Sequence, residues 1–175
     1  MLRMINEFDG VSIISFRISD IVANISEPII QPDGLTIIGF FVNPIRGGDR
    51  LVLMNEDVRE VSNKGMIIDD AEKLMDLDDL VRIKEVVDLN FMIIGKKVET
   101  EKKHKVGKVQ NFAIEDKSWL VKKVYVSSSI LKDFTSTGRV IDRTQIVDVT
   151  DTKIVIKDSD EKVTEKAWAT EAPPA

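Results

Sequence analysis

Residues 145–158 read QIVDVTDTKIVIKD, and residues 57–70, which lie 88 positions earlier, read DVREVSNKGMIIDD. In both, apolar and polar residues alternate on either side of a polar turn, Ser62-Asn63-Lys64-Gly65 in one and Thr150-Asp151-Thr152-Lys153 in the other. Period-two alternation around a short turn of Asn, Asp, Gly and Thr predicts a β-hairpin. At this spacing Val58, Val61 and Ile67 fall on Ile146, Val149 and Val155, and just upstream Val52-Leu53 falls on Val140-Ile141. Earlier in the chain the spacing is 85: Gly10 falls on Gly95, and Gly34-Leu35-Thr36-Ile37 on Trp119-Leu120-Val121-Lys122. Four blocks matching in the same order predict a doubled unit of roughly 75 residues, mainly β, with five or six short strands in each copy.

The first repeat is expected over 8–70 and the second over 90–158. Between them DDAEKLMDLDDLVRIKEVVDLN carries Leu77, Leu80, Val81, Ile83 and Val87 on one helical stripe, with Asp78, Asp79, Arg82 and Glu85 opposite. This predicts an amphipathic linker helix over 71–89, capped by Asp76 and with an acidic first turn that suits the helix dipole. The helix is read as a connector between the two copies or as a docking element for a partner. After Lys157 the periodicity ends, and 159–175, with Pro173-Pro174, is expected to be disordered. Trp168 in that tail is either incidental or an anchor for a partner groove.

Of the 175 residues 43% are apolar and 31% charged, the balance of a soluble globular protein. There is no cysteine, which excludes disulfides and thiolate metal sites. Glu7 and Asp9 interrupt the opening segment where a signal peptide needs an apolar run, and no uncharged stretch has the length of a membrane helix, so a cytoplasmic protein is expected. The net charge of −5 is unevenly spread. Residues 1–89 carry −8 and residues 90–166 carry +4, so the two halves present different surfaces to partners.

Several short motifs carry a resemblance. The second copy has Gly95-Lys96-Lys97-Val98, then Val106-Gly107-Lys108-Val109, Glu115-Asp116-Lys117, Val124-Tyr125-Val126 and Gln145-Ile146-Val147-Asp148-Val149. The first keeps Gly10-Val11, Asp33-Gly34, Ile37-Ile38-Gly39-Phe40-Phe41-Val42 and Asp57-Val58-Arg59-Glu60-Val61, but lacks the glycine equivalent to Gly107. Both copies resemble PRC-barrel domains, the small β-barrels of the photosynthetic reaction centre H subunit and of the C-terminal half of a ribosome maturation factor. The resemblance implies two tandem barrels used as an assembly module.

The residues offer no catalytic set. Without Cys, and with His104 as the single histidine, sitting among lysines, neither a Cys/His pair nor a convincing Ser/His/Asp triad is available. Asp69, Asp70, Asp76, Asp78 and Asp79 are read as caps and a solvated acidic face, and Arg46-Gly47-Gly48-Asp49 as a loop between strands rather than a phosphate loop. No enzyme activity, cofactor or metal is expected. The leading reading is a non-enzymatic adaptor binding an unidentified protein, with Phe40, Phe41, Trp119, Tyr125 and Trp168 as candidate contacts. Adjacent Phe40 and Phe41 point to opposite sides of a strand, so one of them is a candidate for the surface. The alternative is a ribosome-associated factor touching a ribosomal protein or rRNA. For it the lysine-rich stretch around Lys96, Lys97, Lys102, Lys103, Lys105 and Lys108 is the candidate, with Lys102, Lys103 and Lys105 foremost. The other reading of these lysines is protection of a sheet edge.

Overall fold

The computed structural model describes residues 1–127 and 138–158, so Trp168 and the expected tail lie outside the described residues. The described residues form two compact units, the first built from Met1–Phe91 and Ile114–Val121, the second from Met92–Ala113 with 122–127 and 138–158.

The strands of the first unit are β1 (Leu2–Met4), β2 (Ser12–Ser15), β3 (Asp20–Gln31), β4 (Thr36–Pro44), β5 (Leu51–Met54), β6 (Val58–Ser62), β7 (Gly65–Ile68) and β8 (Leu74–Met75). Its sheet runs β6-β7-β2-β3-β4-β5-β8. The quoted stretch 57–70 is the hairpin β6–β7, in register from Val58↔Ile68 to Ser62↔Gly65, and β7 runs parallel to β2 through Ile13↔Met66.

The later strands are β9 (Lys97–Thr100), β10 (Lys105–Glu115), β11 (Val121–Ser127), β12 (Arg139–Asp142), β13 (Ile146–Val149) and β14 (Lys153–Ile156). Their order, β13-β14-β9-β10-β11-β12, repeats that of β6-β7-β2-β3-β4-β5, with β14 parallel to β9 through Ile154↔Val98. The repeat extends to single hydrogen bonds. Gly10 N donates to Ile25 O and Gly95 N to Val109 O, both at 2.9 Å, and Ile25 N and Val109 N donate back to Val11 O and Lys96 O. Gly10 (φ 72°) and Gly95 (φ 87°) adopt the left-handed backbone these turns require, which glycine reaches at no steric cost.

Closed barrels were expected, and here the structure differs. The end strands, β6 and β8 in one sheet and β13 and β12 in the other, do not pair with each other among the described residues, so the sheets are open. The helix differs too. Residues 71–89 break into a 3₁₀ turn (Ala71–Lys73), β8, a second 3₁₀ turn (Leu77–Asp79) and one short helix, α1 (Val81–Asp88). Asp70, not Asp76, caps a turn, accepting from Glu72 N at 3.2 Å.

α1 covers its own unit. Ile83, with Leu77, Leu80, Val86 and Val87, packs on Ile29, Phe41 and Val52 of the sheet, while Val81, expected on the same stripe, is 68% exposed. Phe41 therefore lies beneath the helix, with the Arg50 guanidinium 3.9 Å from its ring centre. Phe40 points to the other side, as alternation requires, and is fully buried.

What buries Phe40 comes from far along the chain. Residues 114–121, the tip of the hairpin β10–β11, belong to the first unit. There Trp119 packs at 5.7 Å from Phe40 and 6.3 Å from Phe8, and Phe8 stacks on Phe40 at 5.5 Å. The tip is fixed by backbone bonds: Ile37 N donates to Trp119 O (2.9 Å) and Val121 N to Leu35 O (3.0 Å), around an antiparallel bridge Thr36↔Leu120. Leu35 (φ 45°) and Trp119 (φ 59°) both take the left-handed backbone at their hairpin tips, which places Trp119 opposite Leu35 in the repeat rather than Gly34. Asp116 ties the same segment to the start of the chain, accepting from Arg3 Nε at 3.4 Å and from the Met1 amino group at 2.7 Å. These contacts, the amino group's hydrogen bond first, hold its carboxyl below the usual carboxylate range.

Ser15 is the buried side chain whose hydroxyl finds no partner among the described residues. An unsatisfied buried hydroxyl costs about 1–3 kcal/mol. Ser15→Ala is expected to leave stability unchanged or raise it by about 1 kcal/mol, read as a melting temperature that holds or rises by about 2–4 °C. A fall of several degrees would mean that the hydroxyl is engaged in solution.

Candidate functional site

The turn β2–β3 combines a fixed backbone with bare apolar side chains. Phe16 N donates to Ile68 O (2.8 Å), Arg17 N to Asp69 O (3.1 Å) and Ile21 N to the Asp20 carboxylate (2.8 Å), and Ser19 (φ 54°) turns the chain back. On this frame Phe16, Ile18 and Ile21 are 61%, 54% and 43% exposed. Ile45, whose N donates to Val22 O, is also exposed. Arg59 reaches from β6 to lie 4.6 Å over the Phe16 ring while bonding Asp69 at 2.8 Å. Arg17 bonds Asp70, and that hydrogen bond, ahead of every other influence, holds the Asp70 carboxyl below its ordinary range. Cations already bound to carboxylates thus flank an apolar tip, which suits it to a protein surface better than to an anionic one.

The corresponding turn of the second unit begins with the same hydrogen bond and has opposite chemistry. Glu101 N donates to Ile156 O (3.0 Å) as Phe16 N does to Ile68 O, and Lys103 (φ 64°) takes the left-handed backbone one position earlier in its turn than Ser19 does. Its side chains are Glu101, Lys102, Lys103, His104 and Lys105, all exposed. His104 is held through its backbone, N to Thr100 Oγ1 at 3.3 Å. Lys96, counted in the basic stretch, is instead buried, its ammonium donating to the Asp151 carbonyl; burial pushes its pKa down.

The aromatic candidates fare differently. Phe40, Phe41 and Trp119 are 0%, 6% and 8% exposed, so they build the core and offer no contact surface. Tyr125 is half-buried in β11, between buried Val124 and Val126. The Phe16–Ile21 turn was missed, although the sequence held a signal: a tight turn is normally polar, and FRIS is not.

The acidic stretch is taken up locally, with Asp69 on Arg59, Asp70 on Arg17 and Asp78 on Lys84. No group of three or more metal-ligating side chains occurs among the described residues. Nor is any helix among them long and apolar enough to cross a membrane. Compared with models of known protein families and with curated proteins, the chain matches none.

Proposed function

We propose that the chain is a non-enzymatic adaptor that binds another protein through the apolar β2–β3 turn, its two units being diverged copies of one PRC-like β module with open sheets. The observation that carries this reading is the exposure of Phe16, Ile18 and Ile21 on a hydrogen-bonded turn. Exposed aromatic and aliphatic side chains on a rigid frame supply binding area at little entropic cost. The repeated strand order supports the modular part of the reading.

Affinity capture from the native cell with the full chain should enrich a specific protein, and the double variant F16D/I18D should recover it at least tenfold less. Both side chains are exposed, so the variant should keep the wild-type circular dichroism and melting temperature. Equal recovery by a folded variant would remove the turn from the interface.

The exposure of Lys102, Lys103 and Lys105 favours a ribosome-associated factor as the second reading. In that case the chain co-sediments with ribosomes, and the association falls steeply with salt and on charge reversal at Lys102 and Lys103.

A further inference from the structure

Edge protection does not account for every lysine of the second unit. β10, β9 and β14 are interior strands of their sheet, each with a neighbour on both sides. Lys97 lies directly opposite Lys108 across β9–β10 and in register with Lys153 across β9–β14. Residues in register point to the same side of a sheet, and Val98, Val109 and Ile154, the next residues along each strand, fill the core side. Three ammonium groups therefore stand in a row across the outward side of three neighbouring strands, which are spaced about 4.8 Å apart. Like charges placed directly opposite destabilise a sheet.

Carboxylates offset only part of this row. Glu99 on β9 bonds Lys153. Asp148 of β13 is in register with Val155, and Asp142 of β12 with Lys123. Lys97 and Lys108 are exposed and have no carboxylate partner among the described residues. One strand over from Lys108, Tyr125 of β11 projects from the same outward side, because its neighbours Val124 and Val126 face the core. A row of cations beside an aromatic ring on a sheet face matches the two demands of a single-stranded nucleic acid, backbone neutralisation and base stacking.

We propose that this face binds single-stranded nucleic acid, with the phosphates running across Lys108 and Lys97 and a base stacking on Tyr125. The proposal is independent of the adaptor reading, and it differs from the ribosome reading in the residues that carry it.

The test is fluorescence anisotropy of the full chain with labelled twelve-nucleotide oligo-U and oligo-dT, at low and raised salt. Inorganic polyphosphate serves as a competitor. Binding should weaken as salt rises, by about tenfold in K97E/K108E and by about tenfold in Y125L. Tighter binding of one oligonucleotide identifies ribose or deoxyribose as the preferred sugar. Circular dichroism keeps a folding failure apart from a binding failure, and K97E/K108E tests the proposal should Y125L not fold. Three outcomes overturn it: no binding by the wild type at low salt, full loss in K102E/K103E with none in K97E/K108E, or wild-type affinity in folded Y125L. The second would leave the ribosome reading standing.

Discussion

Replacing Trp119 with alanine should lower the unfolding free energy by about 4 kcal/mol, the usual cost of truncating a buried large aromatic. The reason lies in where the ring sits. Trp119 is 8% exposed and closes a trio with Phe8 and Phe40, edge-on to Phe40 at 71°. Its loss removes two of the trio's three ring contacts and leaves a void that the hydrogen-bonded hairpin tip cannot collapse to fill. Trp119→Phe should recover part of the loss, since one ring still fills part of the space. Urea denaturation followed by far-ultraviolet circular dichroism reads the change without relying on tryptophan fluorescence. A cost below about 1 kcal/mol would mean that the trio is not the core of the first unit.

Gly107→Ala should cost about 3 kcal/mol, at the upper end for forcing atoms into a packed interior. Gly107 follows a bulge in the β9–β10 pairing and has φ of 158°. A Cβ there would overlap the Ser127 carbonyl oxygen, with Ser127 C at 2.8 Å and Val126 Cγ1 at 2.9 Å. The obstacle is mostly backbone, so no side-chain rotation relieves it. The variant should melt several degrees lower and exchange the β10–β11 amides faster. Gln110→Ala, on an exposed position of the same strand, should change stability by less than about 0.5 kcal/mol. A melting temperature unchanged in Gly107→Ala would show that the two strands part readily at this point.

Local regularities were legible from the residues, and long-range ones were not. The 88-residue echo of DVREVSNKGMIIDD gave both hairpins, because period-two alternation around a polar turn is a short-range property. The opposite orientation of Phe40 and Phe41 followed from the same pleat, but not the burial of both, since one cover is a helix and the other a tryptophan 79 positions from Phe40. The helix was overextended because its apolar stripe reads alike whether the backbone winds continuously or stops twice in 3₁₀ turns to follow the sheet. Closure of the sheets was carried over from the family resemblance, and open sheets can be built from the same alternation. The Phe16–Ile21 turn was overlooked because an alternating apolar pattern reads as strand, and only the backbone reveals that these residues sit at a reversal.

The discontinuous make-up of the first unit sets a timetable for its synthesis. Phe8 and Phe40 leave the ribosome long before Trp119, and at about 5–20 residues per second the pair stays uncovered for several seconds. A gene cut after codon 91, where the unit appears to end on a linear reading, would make that interval permanent and yield a chain with its aromatic pair open to its neighbours.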